Sequence, residues 1–411
     1  MTTNKTFDVI IIGAGPAGLF CAANASATVK NVLVIEKNPI PGKKLLLAGT
    51  GQCNITHNGP ILDFLAHYGD HGQFIKPALM NFPNTTLVAF FREHGLDMVT
   101  TAAGKVFPAT LKSIDVLHIL EKECSTHGVT IQYHSPVQEV RNADGHFFVV
   151  TLETTYCGSL LVIATGGTSY PGTGSTGDGY RFASSLGHTI VGPAPALAPV
   201  IADGYPFGEL AGISFESLHF SLWRDGKKVG SHRGDLLFTH QGLSGPGILD
   251  YSRFIHPLDT IRLSFAGPVS KDDFIKDLTE KIAAHPVSNV KTIVLQYKVP
   301  ERLVTTLLKL SGVPDDLTCA HLTKQQRNAL VTNLLEFPIT VGKLGGFQEA
   351  MVTRGGVSLQ EIDPKSMESR LVPGLYFVGE VIDIDGDTGG YNLQASFSTG
   401  YLAAKAIIAR K

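Results

Sequence analysis

The sequence predicts an α/β fold whose Rossmann-like domain is discontinuous, interrupted by an inserted domain built from an antiparallel β unit and a helical part. Three observations predict it. A glycine-spaced turn joins an apolar run to a helical pattern at the very start of the chain; short apolar runs bounded by glycines recur as far apart as residues 8–12 and 375–378; and the pattern between residues 191 and 340 changes character.

The first element is Phe7-Asp-Val-Ile-Ile-Ile12, a strand pattern leading into Gly13-Ala14-Gly15-Pro16-Ala17-Gly18. An Ala-rich helical stretch follows to about Lys30, then a second strand, Asn31 to Ile35, closing on Glu36. In such a unit Gly13 permits the tight turn, Gly15 lets the backbone approach a pyrophosphate, and Gly18 lets helix and strand pack closely. The unpaired N–H groups at the helix start face the phosphates. Glu36, 23 residues after Gly13, stands where an acid accepts from a ribose hydroxyl. The unit predicts a bound dinucleotide.

Composition bounds the rest. A chain of 411 residues with 43% hydrophobic and 17% charged residues has room for two or three domains and suits a globular protein. A net charge of −2 predicts no strong field toward nucleic acid or membrane. The first strand follows almost directly on the N-terminus, with no signal-peptide pattern, and no run approaches the roughly 18 apolar residues of a membrane span, so a cytoplasmic location is expected. Cys21, Cys53, Cys124, Cys157 and Cys319 are widely spaced without a Cys-x-x-Cys pair, which predicts reduced thiols and neither disulfides nor zinc.

Residues 8–12, 32–35, 160–164 and 375–378 read as buried strands whose C-terminal ends meet one ligand. The expected division is therefore 1–190 plus 341–411 for the nucleotide domain, 191–270 for an inserted β subdomain and 271–340 for a helical one. Alternation around Asp225-Gly226 predicts a hairpin, whereas Phe274, Leu278 and Ile282, then Leu303, Leu307 and Leu310, predict helices.

Two further segments bear chemistry. Gly374 to Gly379-Glu380 reads as a strand ending in a glycine turn, and after Asp383, Asp385 and Asp387 comes Gly389-Gly390-Tyr391-Asn392-Leu393-Gln394, opening a small-residue helix. A helix N-terminus there stabilises developing negative charge. Alternating aspartates also suggest a calcium loop, but the spacing and terminal Glu of an EF-hand are missing, so no metal is expected. The segment Gly42-Lys43-Lys44 through Gly51-Gln52-Cys53-Asn54 to His57 follows the acid-bearing strand. Its glycines allow close backbone approach, its lysines suit phosphate, and Cys53 would serve as acid or nucleophile if its thiolate were stabilised.

Together these segments resemble the BaiN/YhiN-like family of FAD-dependent oxidoreductases, which includes aminoacetone-oxidase-type proteins and ribosomal RNA dihydrouridine synthases. Ala164-Thr165-Gly166-Gly167, Ser169-Tyr170-Pro171, Gly174 to Gly179 and Leu236 to Pro246 also match, so the resemblance spans nearly the whole chain. It implies FAD as the held dinucleotide, contacted by residues 13–18, Glu36, Lys37, Lys43, Lys44, Gly51, Asn54, Ala164, Thr165, Gly166, Gly379, Glu380, Asp383, Gly390, Tyr391, Asn392 and Leu393, with Val137 bracketing the adenine. Where many members carry Arg before Cys-Asn this chain has Gln52, and Thr50 replaces a glycine. The replacement removes a fixed guanidinium fork from this segment.

The primary functional expectation is hydride transfer from a transient NAD(P)H donor through FAD to an unsaturated or carbonyl small molecule. Cys53, Asn54, Tyr391, Asp383 and His240 are the candidate catalytic groups, with His57 a further acid–base candidate and Gln394 a further contact. Competing readings are an amine or aminoketone oxidase that uses oxygen, a ribosomal RNA dihydrouridine synthase, and a non-enzymatic flavin-binding protein. For RNA, Arg224, Lys227, Lys228, His232 and Arg233 surround Trp223 and the helical part carries further lysines, but aspartates nearly balance the latter and a basic set in such mixed charge reads first as a solvated surface.

Overall fold

A computed structural model describes residues 5–267 and 269–410; the first four residues and the last one of the expected nucleotide domain, and Pro268 of the β subdomain, lie outside that range. The chain forms two compact units, 1–196 with 347–411, and 197–346.

In the first unit, strands Lys5–Ile12, Val32–Ile35, Thr130–Gln132 and Thr155–Ile163 run parallel, and Leu375–Phe377 joins the edge of Thr155–Ile163. Their apolar runs are buried on both faces, as a sheet covered by helices requires. Register levels the strand ends: Ile12 pairs with Ile35 on one side and Ile163 on the other, and Ile163 pairs with Phe377. Gly13, Glu36, Ala164 and Val378 therefore leave the sheet along one line. A hairpin, Val137–Ala143 with His146–Thr151, continues the sheet antiparallel beyond the start of Thr155–Ile163.

Helices Pro16–Ser26 and Tyr391–Ala409 pack together over this sheet. A Cβ on Gly400 would lie 2.6 Å from the Ala17 carbonyl oxygen, so glycine sets their separation. Phe20 locks the pair, its ring meeting Phe82, Phe90 and Phe397 at centroid distances of 5.0, 5.1 and 5.3 Å.

The second unit is a closed six-stranded barrel with a helical segment inserted before its last strand. Asp225 and Gly226, at φ 49° and 73°, turn the long hairpin Ser214–Arg224 and Lys227–Phe238, as the alternation predicts. Helices Lys271–Ala284 and Glu301–Leu310 bury Phe274, Leu278, Leu303 and Leu307, while Leu310, at the helix end, is exposed.

The boundaries expected inside the insertion differ from those observed. Ile190–Ala196 pairs with Val352–Val357 in the first unit, and Phe337–Leu344 is a barrel strand, closing between Thr260–Ser264 and Val200–Asp203. That last strand lies next to its partners in space only after a helical excursion, which local alternation does not register.

Candidate functional site

The glycine turn is shaped by what surrounds it. Gly13 has φ +106°, and a Cβ there would sit 2.5 Å from the Ala164 carbonyl oxygen; one on Gly18 would sit 2.0 Å from the Gly13 carbonyl oxygen. Neither approach is tolerable. Gly15 is different: a Cβ there meets nothing within 4 Å, so open space lies before the turn. Helix Pro16–Ser26 begins at Gly15 with Pro at its first turn, no side-chain cap and no acid. Its N–H groups and dipole are left for an anion.

Glu36 is buried and serves the turn directly. Its carboxylate accepts from the Ala14 N–H at 2.8 Å, and from the Asn38 N–H and side-chain amide at 2.9 and 2.7 Å. The carboxylate expected to accept from a ribose thus holds the loop. Ser135 N–H donates to the Glu36 carbonyl at 2.9 Å, which sets buried Val137 two residues beyond that strand end.

The lysines are committed to protein partners. Lys37 donates to Thr176 and Asp178, both at 2.6 Å, and Lys43 to Asn38 at 3.3 Å. Lys44 forms a 2.6 Å ion pair with Glu380. That carboxylate also accepts from Ser169 Oγ at 2.9 Å and from the Thr353 N–H at 2.8 Å. Lys43 and Lys44, expected from their chemistry to suit phosphate, thus have protein partners in this structure. Ser169 stood in a matched motif, but nothing in the sequence marked Thr353.

Residues 49–54 form a tight loop. Gly49, Thr50, Gly51 and Cys53 all have positive φ, at 57°, 55°, 88° and 62°. Cys53 is fully buried, and burial pushes its thiol up to about 12. The stabilised thiolate that nucleophilic catalysis needs is not supplied; Cys53 is a neutral core thiol. Gln52 is exposed. Asn54 presents the opposite case, since its side-chain oxygen is buried without a hydrogen-bond partner, as is the hydroxyl of Thr165. Buried polar atoms of this kind ask for a bonding group.

Helix Tyr391–Ala409 supplies a second N-terminus. Gly390, at φ +99°, comes so close to Thr56 that a Cβ would lie 2.5 Å from its carbonyl, and the first turn holds no acid and no side-chain cap. Asn392 ties back the preceding loop, its side chain bonding the Gly386 N–H and carbonyl, each at 2.8 Å. Tyr391 is buried between two imidazoles: His67 stacks at 4.0 Å and His57 at 5.4 Å. His67 pairs with Asp387 at 3.0 Å, and Asp383 faces His71 at 3.9 Å. No sequence spacing announced this sandwich.

Gln394, His57 and His240 differ in their surroundings. Gln394 is fully buried, bonding Thr56 Oγ, the Phe82 carbonyl and Ser398, so it offers nothing to a ligand. Both ring nitrogens of His57 face backbone carbonyls, of Asn58 at 2.7 Å and Ala103 at 2.9 Å. His240 is an exposed residue of the barrel unit.

The fit to a flavin dinucleotide rests on the open space before Gly15, two uncapped helix N-termini and the unpartnered atoms of Asn54 and Thr165. The family described as HI0933-like protein Rossmann domain matches residues 7–406. The chain belongs to this family. As an HI0933-like protein it is an FAD-dependent oxidoreductase of Rossmann type. It is 33% identical over 407 residues to the ribosomal RNA dihydrouridine synthase of Escherichia coli K12, covering 99% of both chains. It is 28% identical over 409 residues to the 3-dehydro-bile acid delta(4,6)-reductase of Clostridium scindens, covering 97% of this chain and 98% of that one. In fold it is similar to 3-ketosteroid delta1-dehydrogenase from Sterolibacterium denitrificans, with TM-score 0.54 and 13% identity, covering 99% of this chain and all of that one. E. coli quinol fumarate reductase FrdA gives TM-score 0.54 at 16% identity, covering 99% and 71%. Among the described residues no helix is long and apolar enough to cross a membrane.

Proposed function

We propose that this flavoprotein reduces a carbon–carbon double bond conjugated to a carbonyl, drawing electrons from a nicotinamide donor, and that its substrate is a uridine of ribosomal RNA. The observation carrying the proposal is the match, over 99% of both chains, to a ribosomal RNA dihydrouridine synthase. The bile acid reductase fits the same chemistry, because its name and that of the synthase describe one change: saturation of a double bond beside a carbonyl.

Bound FAD would supply two-electron hydride chemistry between the donor and the double bond. The chain's own residues bind and orient. Residues 13–18 and the start of helix Pro16–Ser26 would hold the pyrophosphate, and Glu36, Asn38 and Val137 the adenosine side. Asn54, Thr165 and the N-terminus of helix Tyr391–Ala409 would serve the ring side. The overall change adds a hydride to one carbon and a proton to its neighbour, so the nicotinamide is oxidised as the double bond becomes single.

Anaerobic titration with NADPH and NADH tests the donor, and the flavin absorbance should bleach with one of them. Dihydrouridine in ribosomal RNA from a deletion strain tests the substrate, and an unchanged level removes it. Peroxide release with small amines would favour an oxidase instead.

A further inference from the structure

We infer that the outer face of the barrel, over strands Lys227–Phe238, Ser214–Arg224 and Thr260–Ser264, is an RNA-docking surface. The inference rests on the proposal that the substrate is RNA.

The register sets residues side by side across these strands. Arg233, His219 and Ser264 form one row, Ser231, Ser221 and Arg262 the next, and Lys228, Trp223 and Thr260 the third. The alternate positions Phe220, Leu222, Ile261 and Leu263 are buried in the barrel core, which points these rows outward. Strand spacing makes the patch about 10 Å across and about 14 Å long. No carboxylate stands in any row. Among the described residues, Lys228, Arg233 and Arg262 have no ion-pair partner, while neighbouring Arg224 is neutralised by Asp259 at 2.8 Å.

The chain's only tryptophan lies within the patch. The Arg262 guanidinium sits 3.9 Å from the centre of the Trp223 ring, and the indole N–H donates to Ser221 Oγ at 2.9 Å. Arginine over an aromatic ring, flanked by further cations and hydroxyls, is the arrangement on which bases stack and phosphates settle. The interleaved Ser and Thr hydroxyls suit a partner carrying 2′-hydroxyls. A patch of three cations therefore complements RNA, although the chain as a whole carries a net charge of −2.

The test uses the FAD-loaded full chain and deproteinised total ribosomal RNA, with binding measured by filter retention across a salt series. Lys228→Glu/Arg233→Glu, both at exposed positions, should weaken binding at least tenfold and lower the slope of log K against log salt by about 1.5, or ~0.7 to 0.9 for each phosphate that the protein no longer neutralises. Trp223→Ala should weaken binding with little change of slope. Lys309→Glu/Lys324→Glu, the same charge change in the helical part, should match wild type. Flavin content and NADPH-driven bleaching should be unaltered in all. RNA affinity of Lys228→Glu/Arg233→Glu and Trp223→Ala equal to wild type overturns the inference, as does a wild-type protein that does not retain RNA. Retention through this patch by a protein that forms no dihydrouridine would sink the substrate reading and leave the surface standing; dihydrouridine formation with these variants unimpaired would do the reverse.

Discussion

Lys44 and Glu380, separated by 336 positions in the chain, meet in a 2.6 Å ion pair that joins the segment after the second strand to the turn after the last. Both side chains are partly buried, and Ser169 and Thr353 fill the carboxylate's other sites. Lys44→Met leaves that carboxylate in its pocket without a counter-charge. We expect a loss of about 1–3 kcal/mol in chemical denaturation, below the figure for a fully buried pair. Glu380→Gln should cost less, and the double variant less than the sum of the two. Additive losses would show that the pair is not coupled.

Two of the fingerprint glycines should separate stability from cofactor binding. Gly18→Ala drives a methyl into the Gly13 carbonyl and should destabilise by several kcal/mol or fail to fold. Gly15→Ala meets no protein atom, and its φ of −78° suits alanine. It should hold stability within about 1 kcal/mol while its FAD content falls sharply. The ratio of absorbance at 450 nm to that at 280 nm, read beside the melting temperature, distinguishes the two (about 450 nm being the flavin band).

Thr50 occupies left-handed backbone at φ 55°, where glycine carries no steric penalty. Thr50→Gly should raise stability by about 0.5–1 kcal/mol, since relief of the side-chain clash outweighs the added unfolded-chain entropy. Urea denaturation checks the sign, and a loss would mean that the Thr50 hydroxyl, which donates to the Gly49 carbonyl at 2.7 Å, matters more.

Burial raises the Cys53 thiol from 9.0 to about 12. Between those values the unfolded chain has lost a proton that the folded chain keeps, so the thiol's contribution to stability is full below about pH 9 and declines as pH rises toward 12. Each such thiol adds a slope of about −1.4 kcal/mol per pH unit in that window. Cys21 and Cys124, also raised to about 12, act with the same sign. Cys53→Ala should lower stability at neutral pH through its cavity but make the alkaline decline shallower. Modification of the folded protein by iodoacetamide at pH 8 should be slow at this position.

The strand runs at 8–12, 32–35, 160–164 and 375–378 were legible because a buried parallel strand leaves an unbroken apolar word between glycines. The fold class followed from them. Closure of the barrel by Phe337–Leu344 was not legible, because strand pairing across a helical excursion leaves no local period. Within the candidate site, backbone demands were readable, as at Gly13 and Gly18, since only glycine answers them. Side-chain partnerships were not. The sequence displays the type of Lys44, Cys53 or His57, but a lysine's partner, a thiol's burial and an imidazole's two carbonyl neighbours depend on residues that meet only in three dimensions.

Strand Leu375–Phe377 and helix Tyr391–Ala409 complete a sheet whose first strand begins at Lys5, and the whole barrel unit is encoded between them. During synthesis the barrel therefore emerges from the ribosome before the nucleotide sheet has its last strand. The open edge of Thr155–Ile163 must wait through the translation of about two hundred residues, roughly ten to forty seconds at ordinary elongation rates. Early barrel folding would shorten the chain that separates that edge from its partner, so destabilising the barrel should delay cofactor loading even where no residue near the cofactor is touched.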